Sequence, residues 1–404
     1  MVGPPSPVAA ARLTTVLDPV IPQLGELMGR RSDVLSLAQG MVGWGPPAEV
    51  LRAVHEALDQ PGLALHRYGS TWGNPELLEA VARKLKGRNG LDLNGTTLLV
   101  TTGSNMAFAA IAQVICDPGS EVIFPVPYYF NHAMAVQLVG AVVVPVEAGA
   151  IPDPALLEEA IGPHTRAIVT VSPNNPSGVV IPPDVLKSIN QLCARRGLWH
   201  ISDEAYEDFV HGEVPHFSPG SLVGAASHTL SLYSLSKAYG MAGWRMGYAA
   251  VPEGLRPALA KVIDTLEICP TAISQRAAAA ALAMDPSWIR EQVASLGPRR
   301  AQLLGAVQSW QEEGMPLGLW AEPDGAFYGL LVVNSPAGRL LASEALMAHL
   351  VQEHGVAAVS GSAFGLEIPG ACLLRLSYGM LERADLTTAL GRLGEGLRQW
   401  SAAV

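Results

Sequence analysis

The stretch SLYSLSKAYGMAGWRMGY, Ser231 to Tyr248, places a lysine between serines and glycines in an otherwise apolar run. A solvated lysine normally keeps charged company. Lys237 follows a strand-like segment, TLSLYSL, and the only charge near it in sequence is a second cation, Arg245. Two cations at the end of a buried strand make sense if they hold something anionic. Apolar surroundings and a like charge both disfavour an ammonium, so the Lys237 amine is expected to have a lowered pKa and to act as a nucleophile. Such an amine forms a Schiff base with a carbonyl, including the aldehyde of pyridoxal phosphate.

Working outward, short apolar runs alternate with helical spacing from about residue 95 to 290, the pattern of βαβ units and a largely parallel, doubly wound sheet. TTLLVTTGS, SEVIFPVPYY, RAIVTVSPNNPSG, LWHISDEAYEDF and HTLSLYSLSK read as strands, with helical segments such as NMAFAAIAQVIC and VLKSINQLCARRG between them. Open parallel sheets bind ligands beyond the carboxyl ends of their strands. At those ends stand Gly103, Ser104 and Asn105, then Asn174 and Asn175, then Asp203 with Tyr206, then Ser234, Ser236 and Lys237. Ser104 and Asn105 open a helix whose free N–H groups suit a phosphate. Each feature also has a plainer reading: a tight turn at Gly103, a turn at Asn174–Gly178, a helix N-cap at Asp203.

After about residue 286 a long helical stretch, broken by Gly297 and Pro298, leads into a smaller mixed α/β module; a kink or two abutting helices are expected at the break. At 404 residues two domains are expected: an N-terminal arm over 1–45 joining the small domain, a large domain over 46–290 and a small domain over 291–404.

With 36 acidic against 26 basic residues, the net charge of −10 disfavours nucleic acid as a partner. The alanine-rich RAAAAALAM is too short to span a bilayer, and no signal peptide is evident at the N-terminus, so a cytoplasmic protein is expected. The four cysteines are far apart in sequence and read as reduced, buried thiols. His211 and His216 in HGEVPH resemble a metal pair, but Pro215 argues against a shared helical face, and they read as loop residues; no metal is expected.

Ten stretches in order, LAQGMVGWGPP, RYGSTWGNPELLEA, TTGSNMAFAA, PYYFNHA, PNNPSG, SDEAYEDF, SLSKAYGMAGWRMGY, EPDGAFY, SGSAFG and LRLSYG, make nearly the whole chain resemble the fold type I pyridoxal phosphate enzymes, specifically the class I and II aminotransferases. The resemblance implies that Lys237 bonds covalently to the cofactor and later moves the substrate proton, and that Asp203 pairs with the pyridine nitrogen. Asn175 and Tyr206 would bond the ring oxygen, and Tyr129 would stack on the ring. Gly103, Ser104, Asn105, Ser234 and Arg245 would hold the phosphate. Tyr68 would reach a partner's phosphate across a homodimer interface. Arg375 would clamp the substrate carboxylate, with Asn175 and Gly40 beside it. Trp44, Trp72, Phe327 and Phe364 are candidate apolar walls. Neither Asn105 nor EICPTAISQ supplies a base for an acidic side chain, so a neutral or aromatic amino donor is expected, with a 2-oxo acid as acceptor. Two other readings are a pyridoxal phosphate-dependent carbon–sulfur β-lyase and a cofactor-binding regulatory protein, the latter disfavoured by the lack of room for a DNA-binding extension.

Overall fold

The computed structural model describes residues 8–335 and 342–403. Residues 1–7 of the expected N-terminal arm, and residues 336–341 and 404 of the expected small domain, lie outside the described residues.

Seven strands form the larger sheet: β1 (Thr96–Thr101), β2 (Glu121–Pro125), β3 (Val142–Val146), β4 (Thr165–Val171), β5 (Trp199–Asp203), β6 (Thr229–Ser234) and β7 (Gly247–Pro252). Their spatial order is β1-β7-β6-β5-β4-β2-β3. The central strands are buried along nearly their whole length. That burial explains why they read as continuous apolar runs and not as alternating ones: helices cover both faces of the sheet.

All neighbouring strands are parallel except at β7, which runs antiparallel to both β1 and β6. This exception sets the site. The carboxyl ends of β1, β4, β5 and β6 share one edge of the sheet, and only a reversed β7 brings its amino end, and so Arg245, to that same edge. Gly247 pairs with Thr101 on one side and Ser234 on the other. Asp203 pairs with Val171 and Leu232 on the strands to either side of it.

The second, antiparallel sheet contains β8 (Leu317–Leu319), β9 (Tyr328–Asn334), β10 (Val359–Ser360) and β11 (Ala371–Ser377), in the order β10-β11-β9-β8. Leu35–Ser36 pairs in parallel with Val356–Ala357, a separate two-stranded sheet that ties the N-terminal segment to the C-terminal part of the chain. The helical stretch after residue 286 resolves into Ser287–Ala294 and Gly297–Glu312, with Pro298 in the first turn of the second helix, where its missing N–H leaves no bond unmade. One apolar cluster runs from Tyr206, Phe209 and Tyr233, in or just beyond the large sheet, to Phe327, Tyr328 and Leu374, in or just before the strands of the small one. The site is therefore built where the two sheets share a core. No helix among the described residues is long and apolar enough to cross a membrane.

Candidate active site

A cleft of about 520 Å³ opens at the edge where the strand ends converge, lined by Ser104, Asn105, Tyr129, Asn175, Asp203 and Tyr206, together with Val171, Ala205, Ser234, Ser236, Lys237 and Arg245. Nine residues expected at the site from sequence thus meet in one cavity, although they are spread from Ser104 to Arg245.

At one end, Gly103 turns β1 into the helix α1 (Ser104–Ile115) with φ of 82°. A Cβ at Gly103 would sit 2.5 Å from the Arg245 guanidinium, and one at Gly247 would sit 2.5 Å from the Ser104 nitrogen. Only glycine at both places lets the arginine approach the helix start. Arg245 itself holds φ of 52°, a left-handed conformation that is costly for a residue with a side chain and is met mostly where structure or function demands it. Its Nη1 donates to the Ala242 carbonyl at 2.9 Å, and it has no carboxylate partner among the described residues. A guanidinium without a counter-ion beside the free N–H groups of a helix start is a donor set that fits a phosphate.

At the opposite end, Asp203 is buried. One carboxylate oxygen accepts from the Ala205 N–H at 3.0 Å, and the other faces His132 Nε2 at 3.0 Å. The plainer reading of Asp203 as a helix N-cap does not hold, because a turn and no helix follows its strand; one oxygen caps that turn and the other serves His132. His132 stacks on Phe108 with ring centroids 4.0 Å apart and meets the Tyr129 ring edge at 5.1 Å. Sequence reasoning missed His132. Its only signal was a place three residues after Tyr129 at the start of a helix, α2 (Phe130–Leu138), and a lone histidine there carries little information.

The PNNPSG turn divides its work. Asn174 builds the turn, its side-chain oxygen accepting from the Ser177 N–H and hydroxyl at 3.1 and 2.7 Å. Asn175 is left to face inward: its amide nitrogen donates to Tyr206 Oη at 3.3 Å and its oxygen accepts from Arg375 Nη1 at 3.0 Å. Arg375 is only 2% exposed, lies between the rings of Tyr328 (4.7 Å) and Phe364 (5.5 Å), and donates to the Ala38 carbonyl at 2.6 Å. Its Nε has no hydrogen-bond partner among the described residues. A buried, unpaired guanidinium N–H beside the cavity leaves room for an external acceptor, and a carboxylate has the matching planar geometry.

Lys237 stands between these ends. Its Nζ donates to the Gly40 carbonyl at 2.6 Å and lies 6.0 Å from the Tyr206 ring centre. Burial pushes the amine down to about 8, the Arg375 and Arg245 charges push in the same direction, and Asp203 opposes them. Gly40 thus touches the lysine directly, beyond its expected role beside a substrate carboxylate. Tyr129 keeps its phenol protonated through burial, opposed by hydrogen bonds from Asn105 and Asn131, the latter at 2.8 Å.

Tyr68 is 82% exposed and does not line this chain's cleft. Of the candidate walls, Phe364 packs on Arg375 and Phe327 packs on Tyr206, whereas Trp72 lies under Arg256 at 4.1 Å and Trp44 stacks on Phe209 at 6.3 Å; none of the four lines the cleft. His211 and His216 do not form a pair. His211 Nε2 meets the Ala326 carbonyl, and His216 meets Glu204. Glu204, Glu207 and His216 come within ligand distance of one another, and Lys84, Asn89, Ser218 and Tyr233 donate to the two carboxylates, so the three form part of a buried hydrogen-bonded ion network.

The model of the family described as aminotransferase class I and II matches residues 32–393. The chain belongs to that family. Its members are pyridoxal phosphate-dependent, and this chain is accordingly an aminotransferase acting on amino acids and 2-oxo acids. It is 35% identical to an aromatic aminotransferase of Arabidopsis thaliana over 94% of each chain, and 36% identical to an aspartate/prephenate aminotransferase of Thermus thermophilus over 92% of this chain and 93% of that one. The solved Thermus thermophilus aspartate aminotransferase with maleate superposes with a TM-score of 0.85 at 32% identity, covering 97% of this chain and all of that one. An aromatic aminotransferase from Pyrococcus horikoshii superposes with a TM-score of 0.81 at 31% identity, over 93% and 99% of the two chains.

Proposed function

We propose that this aminotransferase takes its amino group from a neutral or aromatic amino acid, and that the cleft around Lys237 is where it does so. When bound, pyridoxal phosphate supplies the electron sink that makes the substrate α-proton removable. The chain's own residues supply the rest. Ser104, Asn105, Ser234 and Arg245, with the turn at Gly103, hold the phosphate. Asp203, held by Ala205 and His132, places a negative charge where the pyridine nitrogen is kept protonated. Asn175 and Tyr206 donate to the ring oxygen, and Tyr129 covers the ring. Arg375 fixes the substrate carboxylate through its unpaired N–H groups, and Gly40 leaves room beside it. Lys237, whose amine burial keeps partly neutral, carries the proton to and from the substrate α-carbon.

The observation that carries the donor class is the cationic inventory. Lys237 and Arg245 are the cations lining the cleft and Arg375 adjoins it, all three have roles in this reading, and Asn105 is neutral. An acidic donor's side-chain carboxylate would enter without a partner, which is costly in a desolvated site. Relatives named for aromatic and for aspartate/prephenate substrates bracket the choice.

The same reading includes a homodimer. Arg245 and Asn105 are exposed in the single chain, which leaves the phosphate end of the cleft open. Tyr68, Leu63, Leu58, Leu266 and Ile268 are exposed, and the Gly69 N–H joins the first segment to Cys269 Sγ at 3.3 Å. An apolar face of this kind suits a second copy whose Tyr68 closes the site. Domain limits near residues 46 and 291 and a cytoplasmic location belong to the proposal too; Cys116 and Cys193 are buried and form no disulfide, which suits a reducing compartment.

The test is a steady-state comparison of aromatic, aliphatic, acidic and sulfur-containing donors, with 2-oxoglutarate present or withheld. A donor-derived 2-oxo acid formed fastest from neutral or aromatic donors, and only with acceptor, is expected. Preference for aspartate would overturn the donor class, and pyruvate with ammonia in the absence of acceptor would establish the lyase reading instead.

A further inference from the structure

Tyr328, the last residue of EPDGAFY, opens β9 and is fully buried. Its hydroxyl lies 2.9 Å from Tyr206 Oη, a contact between residues 122 apart in sequence. Its ring lies 4.7 Å from the Arg375 guanidinium, and a Cβ on Gly40 would come within 3.0 Å of its hydroxyl. The residue therefore adjoins the ring-oxygen donor, the carboxylate clamp and the carbonyl-bearing glycine that holds Lys237, although it does not itself line the cleft.

Counting protons defines what its hydroxyl does. Arg375 Nη1 donates to the Asn175 side-chain oxygen, so the Asn175 amide nitrogen is the group that faces Tyr206, and it donates there at 3.3 Å. Tyr206 Oη thus already receives one hydrogen and has one of its own. That hydrogen points either to Tyr328 or into the cleft. Among the described residues Tyr206 is the hydrogen-bond partner of the Tyr328 hydroxyl. If Tyr328 accepts, the Tyr206 proton is used up between the two tyrosines. If Tyr328 donates, the Tyr206 proton is free to reach an acceptor in the cleft. An anionic oxygen in the cleft selects the second arrangement, because a run of hydroxyls that ends on an anion polarises each donor in it.

The geometry points to Tyr328 as a positioning residue: its hydroxyl donates to Tyr206, turns the Tyr206 proton toward the cofactor's ring oxygen and strengthens that bond, while its ring separately packs on Arg375. This rests on the reading of the Lys237 cleft as the cofactor site.

The hydroxyl and the ring can be tested apart. Tyr328→Phe keeps the ring and removes the donor. Donation to the ring oxygen withdraws charge from it and loosens its hold on the proton shared with the lysine nitrogen, so it lowers the pH at which the absorption band of the cofactor-loaded protein titrates. Spectrophotometric pH titrations of wild type, Tyr328→Phe, Tyr206→Phe and the double variant form a cycle. Tyr328→Phe is expected to raise the midpoint by roughly half to one pH unit, the size of one neutral hydrogen bond. In the Tyr206→Phe background it is expected to add no further shift, and KM for the amino donor stays within about twofold of wild type because the ring still faces Arg375. An unchanged midpoint, a lowered melting temperature with an unchanged midpoint, or the same increment in both backgrounds overturns the proposal. A wild-type protein that shows no titrating band would refute the cofactor-site reading instead.

Discussion

The lowered basicity of Lys237 can be measured without the cofactor. An ordinary lysine has a pKa near 10.4, so at pH 7 only about one in 2,500 is neutral; an amine at about 8 is neutral about one time in ten, a gain of about 200-fold in the nucleophilic form. The cause is burial first, then Arg375 and Arg245, with Asp203 opposing. Sign and size can be tested by competitive labelling of cofactor-free protein with a small amine reagent across pH 6 to 11, read by peptide mass spectrometry, with exposed Lys261 as the internal reference. The Lys237 midpoint is expected about two units or more below that of Lys261. Arg375→Leu removes a cation and should move the Lys237 midpoint up, whereas Asp203→Asn removes the opposing anion and should move it down. A Lys237 midpoint within half a unit of Lys261, a downward shift in Arg375→Leu, or an upward shift in Asp203→Asn would refute the electrostatic reasoning.

Three further outcomes follow from the geometry. Arg375→Lys keeps the charge and loses the planar fork, and with it a charge-assisted hydrogen bond of about 1.5–3 kcal/mol, so kcat/KM is expected to fall roughly 10- to 150-fold in steady-state kinetics. Gly247→Ala drives a Cβ to 2.5 Å from the Ser104 nitrogen and 2.7 Å from the Gly103 carbonyl carbon, backbone that cannot yield cheaply; a stability loss of about 1–3 kcal/mol in denaturant melts and faster cofactor loss on dialysis are expected. If Tyr68 completes the partner's site, mixing inactive Tyr68→Ala and Lys237→Ala subunits forms hybrids with one intact site. About a quarter of wild-type activity per subunit should then return, and no recovery would count against a shared site.

Much of the site was legible because strand ends are local features. Asp203, Ser234 and Lys237 each follow an apolar run, and the sheet brings such ends together whatever lies between them. What could not be read was anything set by strand order. The reversal of Gly247–Pro252, which carries Arg245 to the same edge as Ser234 and Thr101, leaves no trace in a run of apolar residues that would look the same in either direction. The supports of the site were hidden for a related reason. His132 touches Asp203 and Tyr328 touches Tyr206 across 71 and 122 positions of sequence, and neither residue type is unusual where it stands. The turn reading of PNNPSG was right for Asn174 and incomplete for Asn175, whose neighbour Arg375 comes from the other sheet. Trp44 and Trp72 lie in motifs that border the site, yet packing against Phe209 and Arg256 takes them out of the cleft.

The central claim, that Lys237 carries out amino transfer in this cleft, is tested most directly by a single-turnover half-reaction. Cofactor-loaded wild type and Lys237→Ala are each mixed with an aromatic amino acid, the cofactor absorption is followed with no acceptor present, and a 2-oxo acid is added afterwards. The account predicts conversion to the aminated cofactor in the wild type, recovery on adding the 2-oxo acid, and a loss of at least about a thousandfold in the rate for the alanine variant. Conversion at an undiminished rate without Lys237 would contradict it.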